Sequence, residues 1–337
     1  MALPIIGDKV IGLIGPDELR GHAPRPAPAW LPEVVHEAAT AAEARLRRSA
    51  WSSNRSVHAL VRAIFEQSVW SGPLLSARTA SSLWGKAALV RAMPKYRLAD
   101  LVVMRDNKPL DLSPLGKPTA RLGRNVEVLL RELHKPNTGF RLGSVQLYHP
   151  RVRAFADRLA KLLATKVNVN GYASFSQGTI FPEHWDAHDV ALVQTHGRKE
   201  WRVRPNSLPM PVTAHRSVLR PHGGARPTTF RLAPGRLLFL PRGHWHVGKG
   251  LDSIHLTFGL PEDTVALRIA DAALWTLARH IQEVAYRAPM FVFDPQSPQA
   301  HTALRTCIEG YLSELRSALL DTKQLSNRPA FFGRRFF

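Results

Sequence analysis

Cysteine, membrane-length hydrophobic runs and acidic residues are all scarce in this chain. Cys307 is its single cysteine, which excludes a disulfide framework and a thiolate metal site and is typical of a reducing compartment. No hydrophobic run approaches the length that spans a membrane. The apolar first residues are interrupted at Asp8 and Lys9, so they lack the layout of a secretory signal. We therefore expect a cytoplasmic protein without a membrane segment.

The shortage of acidic residues gives the chain a strong positive charge. Its 26 Asp and Glu residues face 46 Lys and Arg residues, for a formal net charge of +20. Such a charge favours an anionic partner, such as nucleic acid, the ribosome or an acidic peptide. Because the arginines are spread along the chain and do not gather in one arm, the composition does not require a dedicated nucleic-acid-binding role.

Hydrophobic periodicity divides the 337 residues into three parts. Residues 1–140 are predicted to form a proline-rich arm followed by a helical region. Residues 141–260 begin with an amphipathic helix after Pro150 and then change to the alternating pattern of short strands. Residues 261–337 return to an amphipathic helical pattern, and we expect these C-terminal helices to cap the body or to pair in a homodimer.

The strand signals of the middle part predict two hairpins. One covers residues 190–203 with a turn at 196–198, and the other covers 228–240 with a turn at 234–235. A further strand is predicted over residues 253–260. Several short strands at this spacing are typical of a jelly roll, whose two sheets enclose a pocket. The predicted fold class is therefore α+β, with a jelly-roll core between helical regions.

Three residues in the strand-rich part have the composition of a metal site. His184 and Asp186 would face the same side of a strand, and His246 follows later, just past a predicted strand. Two imidazoles and one carboxylate, with the other coordination positions open, form the ligand set of non-haem Fe(II) oxygenases. A short motif is weak evidence, and a set of structural histidines is the alternative, because eight of the fifteen histidines lie between positions 184 and 255.

Lys199 makes the metal hypothesis more specific. In an alternating strand it shares a face with Trp201 and Val203, which would place its ammonium in the interior. A buried ammonium needs a compensating anion. The far carboxylate of 2-oxoglutarate is such an anion, and Tyr172 could add a hydroxyl donor to it. The alternative is an exposed lysine on the other face of the strand.

Taken together, these motifs resemble a known family. The matching segments, in order and spacing, are Asn170-Gly-Tyr172, His184-Trp-Asp186, Val193-Gln194, Gly197-Arg-Lys199-Glu-Trp201-Arg-Val203, Phe239-Leu-Pro-Arg-Gly243 with His246, and Ser253-Ile-His255-Leu-Thr257. The pattern resembles the JmjC-type 2-oxoglutarate oxygenases of the ribosomal oxygenase branch, over residues 140–260. That resemblance implies a cupin-like double-stranded β-helix.

The resemblance also implies a chemistry and a set of site residues. Fe(II) would bind His184, Asp186 and His246. Lys199 and Tyr172 would hold the distal carboxylate of 2-oxoglutarate, and O2 would be the other co-substrate. Asn170 and Thr257 would line the pocket. Members of the branch hydroxylate a side chain of a peptide or protein, with histidine or arginine as the typical target, so a ribosomal protein or a biosynthetic precursor peptide is the expected substrate.

Two alternatives stay open at the level of sequence. One is a 2-oxoglutarate-dependent hydroxylase of a small-molecule metabolite, and the other is a non-catalytic basic binding protein with a jelly-roll core. The chain also departs from the family pattern at Gly259, where some relatives carry a serine that helps to hold the co-substrate.

Overall fold

The computed structural model describes most of the chain. The described residues are 27–29, 31–213, 215, 219–220, 225–261, 264–280, 283–287 and 297–320. They fall into two compact units, one that runs up to Pro261 and one that starts at Thr264. Most of the predicted proline-rich arm lies outside the described residues. The division at 140 and 260 that the sequence suggests stays a prediction.

Helices dominate the first part of the larger unit. The predicted amphipathic helix after Pro150 is confirmed, because its apolar face, including Val152 and Leu159, is buried. Asn54 begins another helix by accepting hydrogen bonds from the backbone N–H groups of Ser56 and Val57. The helices are α1 Leu31–Arg47, α2 Arg55–Glu66, α3 Ala77–Trp84, α4 Lys86–Ala92, α5 Val126–Leu133, α6 Val145–Tyr148 and α7 Pro150–Leu163.

The strands of the larger unit form one antiparallel sheet, so the predicted α+β class is confirmed. The strand order is β1-β9-β7-β10-β5-β4-β2-β3, with β6 paired to β10 and β8 paired to β7. The strands are β1 Trp70–Pro73, β2 Leu101–Arg105, β3 Lys108–Pro109, β4 Thr138–Leu142, β5 Asn168–Ser174, β6 Gly178–Thr179, β7 Asp189–Arg204, β8 Thr228–Leu232, β9 Arg236–Leu240 and β10 Trp245–Leu260.

The hairpin predicted over residues 190–203 is wrong, because β7 is one continuous strand of 16 residues. The turn signal at 196–198 marks a bend instead. Gly197 has a φ of 63°, and a Cβ at this residue would lie 1.7 Å from the backbone oxygen of Asp252. The register of the partner strand β10 shifts between Leu251 and Ile254, opposite this bend. Local turn chemistry therefore bends a strand pair here without reversing the chain.

The second predicted hairpin is also wrong, although both of its strands exist. β8 pairs with Lys199–Val203 and β9 pairs with Val190–Val193, so the two strands add to successive halves of β7 and not to each other. A hairpin signal reports two strands joined by a turn but does not say which strands pair. Strands that add in turn to a bent central pair agree with the double-stranded β-helix that the family resemblance implies.

The two faces of β7 and its neighbours belong to different hydrophobic cores. On one face, Ala191 and Val193 join a large cluster that includes buried side chains of helices α1 to α7. On the other face, Val190, Leu192 and Trp201 form a smaller cluster with side chains of β8 and β9. Over Val190–Val193 the alternation follows the period of two of a strand. Trp201 lies an odd number of residues after Val190 and still joins the same cluster, so the alternation changes phase between them, where Gly197 bends the strand. Beyond this bend, Lys199 and Trp201 line a cavity together with side chains of β5 and β10.

The smaller unit consists of the helices α8 Val265–His280, α9 Val284–Arg287 and α10 Pro298–Leu320. The predicted helical pattern is confirmed here. The hydroxyl of Tyr311 donates to the backbone oxygen of Ala273 at 2.9 Å, and Glu314 pairs with Arg279 at 2.6 Å. Within the described chain, none of the helices has both the length and the apolar character that crossing a bilayer requires.

Candidate active site

His184 and His246 are held face to face by their own backbones. The N–H of His184 donates to the backbone oxygen of His246 at 3.1 Å, and the N–H of His246 donates back at 2.7 Å. His246 lies on β10, whereas His184 makes an isolated bridge and is not part of a strand, contrary to the strand alternation that the sequence suggests. With Asp186 they form a cluster whose ligand atoms all lie within 4.8 Å of one another.

The hydrogen bonds of both histidines fix which ring nitrogen faces the cluster. The Nδ1 of His184 lies 2.8 Å from the backbone oxygen of Pro182, and the Nδ1 of His246 lies 2.9 Å from that of His244. A carbonyl oxygen only accepts hydrogen bonds, so each Nδ1 must carry the proton. Each Nε2 therefore presents a lone pair. Metal-binding histidines are usually oriented by such a contact to a second group.

Asp186 completes the cluster from a loop that is fastened to the turn before His246. Its backbone oxygen accepts a hydrogen bond from the N–H of Gly243 at 2.9 Å, and its Oδ2 lies 3.7 Å from the Nε2 of His246. Gly243 has a φ of 84°, a conformation that favours glycine. Trp185 is buried in a separate cluster with Ala187 and does not line the site.

Burial, and secondarily the neighbouring His184, lowers the pKa of His246 to about 4. The imidazole is therefore neutral at neutral pH, which is the protonation state that binds a metal. Two imidazole nitrogens and one carboxylate oxygen, brought together from a loop and a strand, fit the ligand set of a non-haem Fe(II) centre.

A small cavity of about 60 Å³ adjoins the three ligands. Lys199 lines it, and its ammonium lies 4.4 Å from the centre of the Trp201 ring. Burial lowers the pKa of Lys199 to about 7. The predicted shared face with Trp201 and Val203 is therefore confirmed, and the alternative of an exposed lysine is excluded. Among the described residues the ammonium has no hydrogen-bonding or ionic partner.

Tyr172 and His255 form another part of the cavity wall. Their rings stack with centroids 4.8 Å apart and an interplanar angle of 7°. Burial, and secondarily the carboxylate of Asp186, raises the pKa of Tyr172 to about 12, so its hydroxyl keeps its proton and can donate. Burial holds the pKa of His255 well below its usual range. This wall therefore offers polar groups without adding charge.

Two buried polar atoms in this wall have no partner among the described residues: the Nδ1 of His255 and the Oγ1 of Thr257. Buried polar groups are nearly always hydrogen-bonded, so unpartnered ones beside a cavity indicate a polar ligand. Thr257 was predicted to line the pocket and does so, whereas sequence reasoning did not single out His255. The available signal was its position two residues before Thr257 on a strand, which places both side chains on one face.

The structure places Asn170 beside the cavity and not in its lining. It pairs with Thr257 across the β5–β10 ladder, but its Oδ1 accepts a hydrogen bond from the backbone N–H of Ser144 at 3.3 Å. At Gly259, a Cβ would lie 3.0 Å from the Cδ2 of His188. The histidine thus lies against the space where a serine side chain would project.

Comparison with known proteins agrees with this geometry. Residues 145–267 match the family model for the JmjC domain. This part of the chain is similar to the JmjC domain. The match covers β5 to β10 and all three clustered ligands, so the family resemblance drawn from the sequence motifs is confirmed over this range.

The curated relatives are similar over part of the chain. Ribosomal oxygenase 1 of Rattus norvegicus is 28% identical over 141 residues, which cover 40% of this chain and 24% of that protein. The bifunctional lysine-specific demethylase and histidyl-hydroxylase NO66 of Brugia malayi is 31% identical over 132 residues, covering 34% of this chain and 18% of that protein. The chain thus matches a quarter or less of the length of these two relatives.

Solved structures with some similarity include Escherichia coli ribosomal oxygenase YcfD. The alignment with its crystal structure has a TM-score of 0.46 at 17% identity, and it covers 77% of this chain and 65% of the YcfD chain. A structure of YcfD in complex with cobalt and 2-oxoglutarate gives a TM-score of 0.44 at 17% identity, with coverage of 75% and 67%.

Proposed function

We propose that this chain is an Fe(II)- and 2-oxoglutarate-dependent oxygenase that hydroxylates a histidine or arginine side chain of a peptide or protein. The single observation that carries the proposal is that a set of metal ligands and a buried cation line the same cavity. The ligand atoms of His184, Asp186 and His246 lie within 4.8 Å of one another, and the same cavity is lined by Lys199, whose ammonium has no hydrogen-bonding or ionic partner among the described residues.

The metal end of the cavity suits Fe(II) through its donor set. The two Nε2 atoms and the carboxylate of Asp186 would hold the ion, and the backbone carbonyls of Pro182 and His244 keep the rings in orientation. Bound Fe(II) supplies the activation of O2, which no side chain of the cavity can perform. The protein contributes a fixed ligand set and a small cavity that limits access of water.

The other end suits the distal carboxylate of 2-oxoglutarate. A buried ammonium without a partner costs several kcal/mol, and an anionic ligand offsets that cost. Lys199 would donate to the carboxylate, with the Tyr172 hydroxyl as a second donor. The Oγ1 of Thr257, which lacks a partner in the described residues, would add a neutral hydrogen bond. A diacid that is also a 2-oxo acid would satisfy both ends of the cavity at once.

The substrate class is supported by the names of the curated relatives, which are called ribosomal oxygenases and histidyl-hydroxylases. The positive charge of the chain adds a second argument. A formal net charge of +20 attracts acidic peptides and ribonucleoprotein surfaces, where ribosomal proteins are found. We therefore favour a peptide or protein substrate over a free metabolite. A homodimer formed through the C-terminal helices, and contact with the ribosome, remain part of this proposal.

The test uses the full chain loaded with Fe(II) under anaerobic conditions. We expect it to bind 2-oxoglutarate and, once O2 is admitted, to form succinate slowly even without the hydroxylated substrate. Candidate ribosomal peptides and precursor peptides are then incubated with the enzyme, and mass spectrometry detects the gain of one oxygen on histidine or arginine. Failure to bind 2-oxoglutarate and to form succinate would overturn the proposal and leave a basic binding protein.

A further inference from the structure

Gly248 lies on β10 at the point where the side chain of Lys199 crosses this strand. It pairs with Trp201 in the β7–β10 ladder, and the next residue on the same face, Gly250, pairs with Lys199. The face of β10 that carries the ligand His246 therefore continues with two glycines, of which Gly248 lines the cavity and Gly250 does not.

A side chain at Gly248 has no room. Its Cβ would lie 2.4 Å from the Cε of Lys199 and 2.9 Å from a ring carbon of Trp201. Trp201 is itself only 6% exposed and belongs to the smaller hydrophobic cluster that β7 forms with β8 and β9. The ring contact calls for a shift of a few tenths of an ångström, whereas the closer contact with the flexible lysine calls for a larger one, so Lys199 is the group that would move furthest.

The backbone does not explain this glycine. Gly197, Gly235 and Gly243 have positive φ angles that favour glycine, whereas Gly248 is not among the residues with positive φ. An alanine could adopt the Gly248 backbone without strain. What the position requires is the absence of a side chain.

We propose that Gly248 is a positioning residue for the co-substrate: the space above its Cα holds the Lys199 stem and keeps the ammonium over the Trp201 ring, inside the cavity. The inference rests on the proposed function, because it takes the ammonium to be the group that receives the distal carboxylate of 2-oxoglutarate. A methyl group at residue 248 would push the stem aside, and the carboxylate would lose its cationic partner.

The test compares Gly248→Ala with Gly250→Ala in the full chain, with Mn(II) in place of Fe(II) so that binding is measured without turnover. Titration calorimetry gives the affinity for 2-oxoglutarate. Gly248→Ala should weaken binding about tenfold or more, the usual effect of losing a charge-assisted hydrogen bond. Gly250→Ala is the matched control, because its Cβ would meet the Cβ of Ser253 at 3.0 Å and does not reach Lys199. Its affinity should stay within about twofold of wild type.

Two further measurements separate displacement of Lys199 from general damage. In a Lys199→Ala background, Gly248→Ala should cause no additional loss of 2-oxoglutarate affinity, because the displaced group is already gone. The monoacid 2-oxopentanoate, which lacks the distal carboxylate, should bind wild type and Gly248→Ala equally. A loss that adds to that of Lys199→Ala, or that is equal for both acids, would overturn the inference.

The failures of the two proposals are distinguishable. If wild type does not bind 2-oxoglutarate, the proposed function falls. If wild type binds and Gly248→Ala binds equally well, only the role of Gly248 falls. Should Gly248→Ala fail to fold, the double variant with Lys199→Ala decides: recovery of the fold supports the steric clash with Lys199, and an equally unfolded double variant contradicts it.

Discussion

The two ends of the cavity are built on different principles. At the metal end, backbone hydrogen bonds fix His184 and His246 against each other, and carbonyl oxygens fix their rings. At the far end, the ammonium of Lys199 rests on an aromatic ring, and buried atoms of His255 and Thr257 have no partner in the described chain. The protein's own hydrogen bonds orient the first group, whereas the second has buried polar atoms without partners in the described residues, which a polar ligand would satisfy.

This difference indicates how each end would respond to substitution. Groups that are held by the backbone contribute chemistry at little cost to folding, so their removal should affect activity more than stability. Buried polar groups without partners reduce the free energy of unfolding until a ligand binds. Their removal should weaken ligand binding and stabilise the ligand-free protein.

The largest effect is expected from the metal end. Asp186→Ala should lower succinate formation by at least about a thousandfold, because the two remaining ligands would not hold the ion firmly. Its melting temperature should stay within a few degrees of wild type. Metal content and thermal unfolding measure the two outcomes. Glu183→Ala is the control, because this exposed acid pairs with Arg204 and lies next to the ligand His184. Full activity in Asp186→Ala would rule out the ligand assignment.

Lys199→Met should separate binding from stability at the other end. Loss of the cation should raise the 2-oxoglutarate concentration needed for half-maximal rate by about tenfold or more. The ligand-free variant should be about 1–2 kcal/mol more stable at pH 7, because a buried ammonium is replaced by an apolar group of similar length. Chemical denaturation without co-substrate measures this gain. An unchanged co-substrate requirement would show that another group holds the carboxylate.

The stability difference should depend on pH with a defined sign. Burial lowers the pKa of Lys199 to about 7 from its ordinary 10.5. Between these values the unfolded chain binds a proton that the folded chain does not, so the lysine makes the free energy of unfolding rise with pH. The penalty is fully present below pH 7 and disappears above about 10.5. The advantage of Lys199→Met should therefore shrink as pH is raised from 7 to 9, and a constant advantage would contradict the buried ammonium.

Binding of 2-oxoglutarate should have the opposite pH dependence. The bound carboxylate favours the ammonium form, so binding above pH 7 should take up a proton and weaken as pH rises. His255 stays neutral and Tyr172 stays protonated over this range, so neither adds to the slope. Calorimetry in buffers of different ionisation enthalpy counts the proton. The slope should vanish in Lys199→Met, and its persistence there would assign the proton to another group.

The sequence predicted the residues of the candidate site more completely than it predicted which strands pair. Residues 184, 186, 199 and 246 have side chains that suit metal or anion binding, and such residue types can be recognised from their identity and spacing in the sequence. The pairing of β8 and β9 with the two halves of β7 depends on a bend at Gly197 and a register shift in β10. A glycine between strand-like segments predicts a turn equally well, so local sequence does not distinguish a bent strand from a hairpin.

The paths and directions of side chains in three dimensions could not be predicted from the sequence either. The need for a glycine at 248 follows from the path of the Lys199 side chain, which lies 49 residues earlier and crosses from the neighbouring strand. The role of Asn170 was predicted from its motif alone. The structure shows that its Oδ1 accepts a hydrogen bond from the backbone N–H of Ser144 and that its side chain contacts the lining residue Tyr172 from outside the cavity lining. A motif places a residue near a site but does not give the direction of its side chain.

The smallest effect is expected at Thr257. Thr257→Val keeps the shape of the side chain and removes the hydroxyl, whose Oγ1 is buried and finds no hydrogen-bond partner in the part of the chain that the structure describes. Because one neutral hydrogen bond contributes about 1 kcal/mol, 2-oxoglutarate affinity should fall about fivefold, while the ligand-free protein should be equally or slightly more stable. Calorimetry and denaturation measure the two quantities. Thr195→Val is the control, since the Oγ1 of Thr195 donates to the backbone oxygen of Ile254 at 3.0 Å. That variant should lose stability and keep its co-substrate affinity. The same loss of stability at both threonines would mean that Thr257 already has a partner, and the contrast between the two ends of the cavity would then rest on Lys199 and His255.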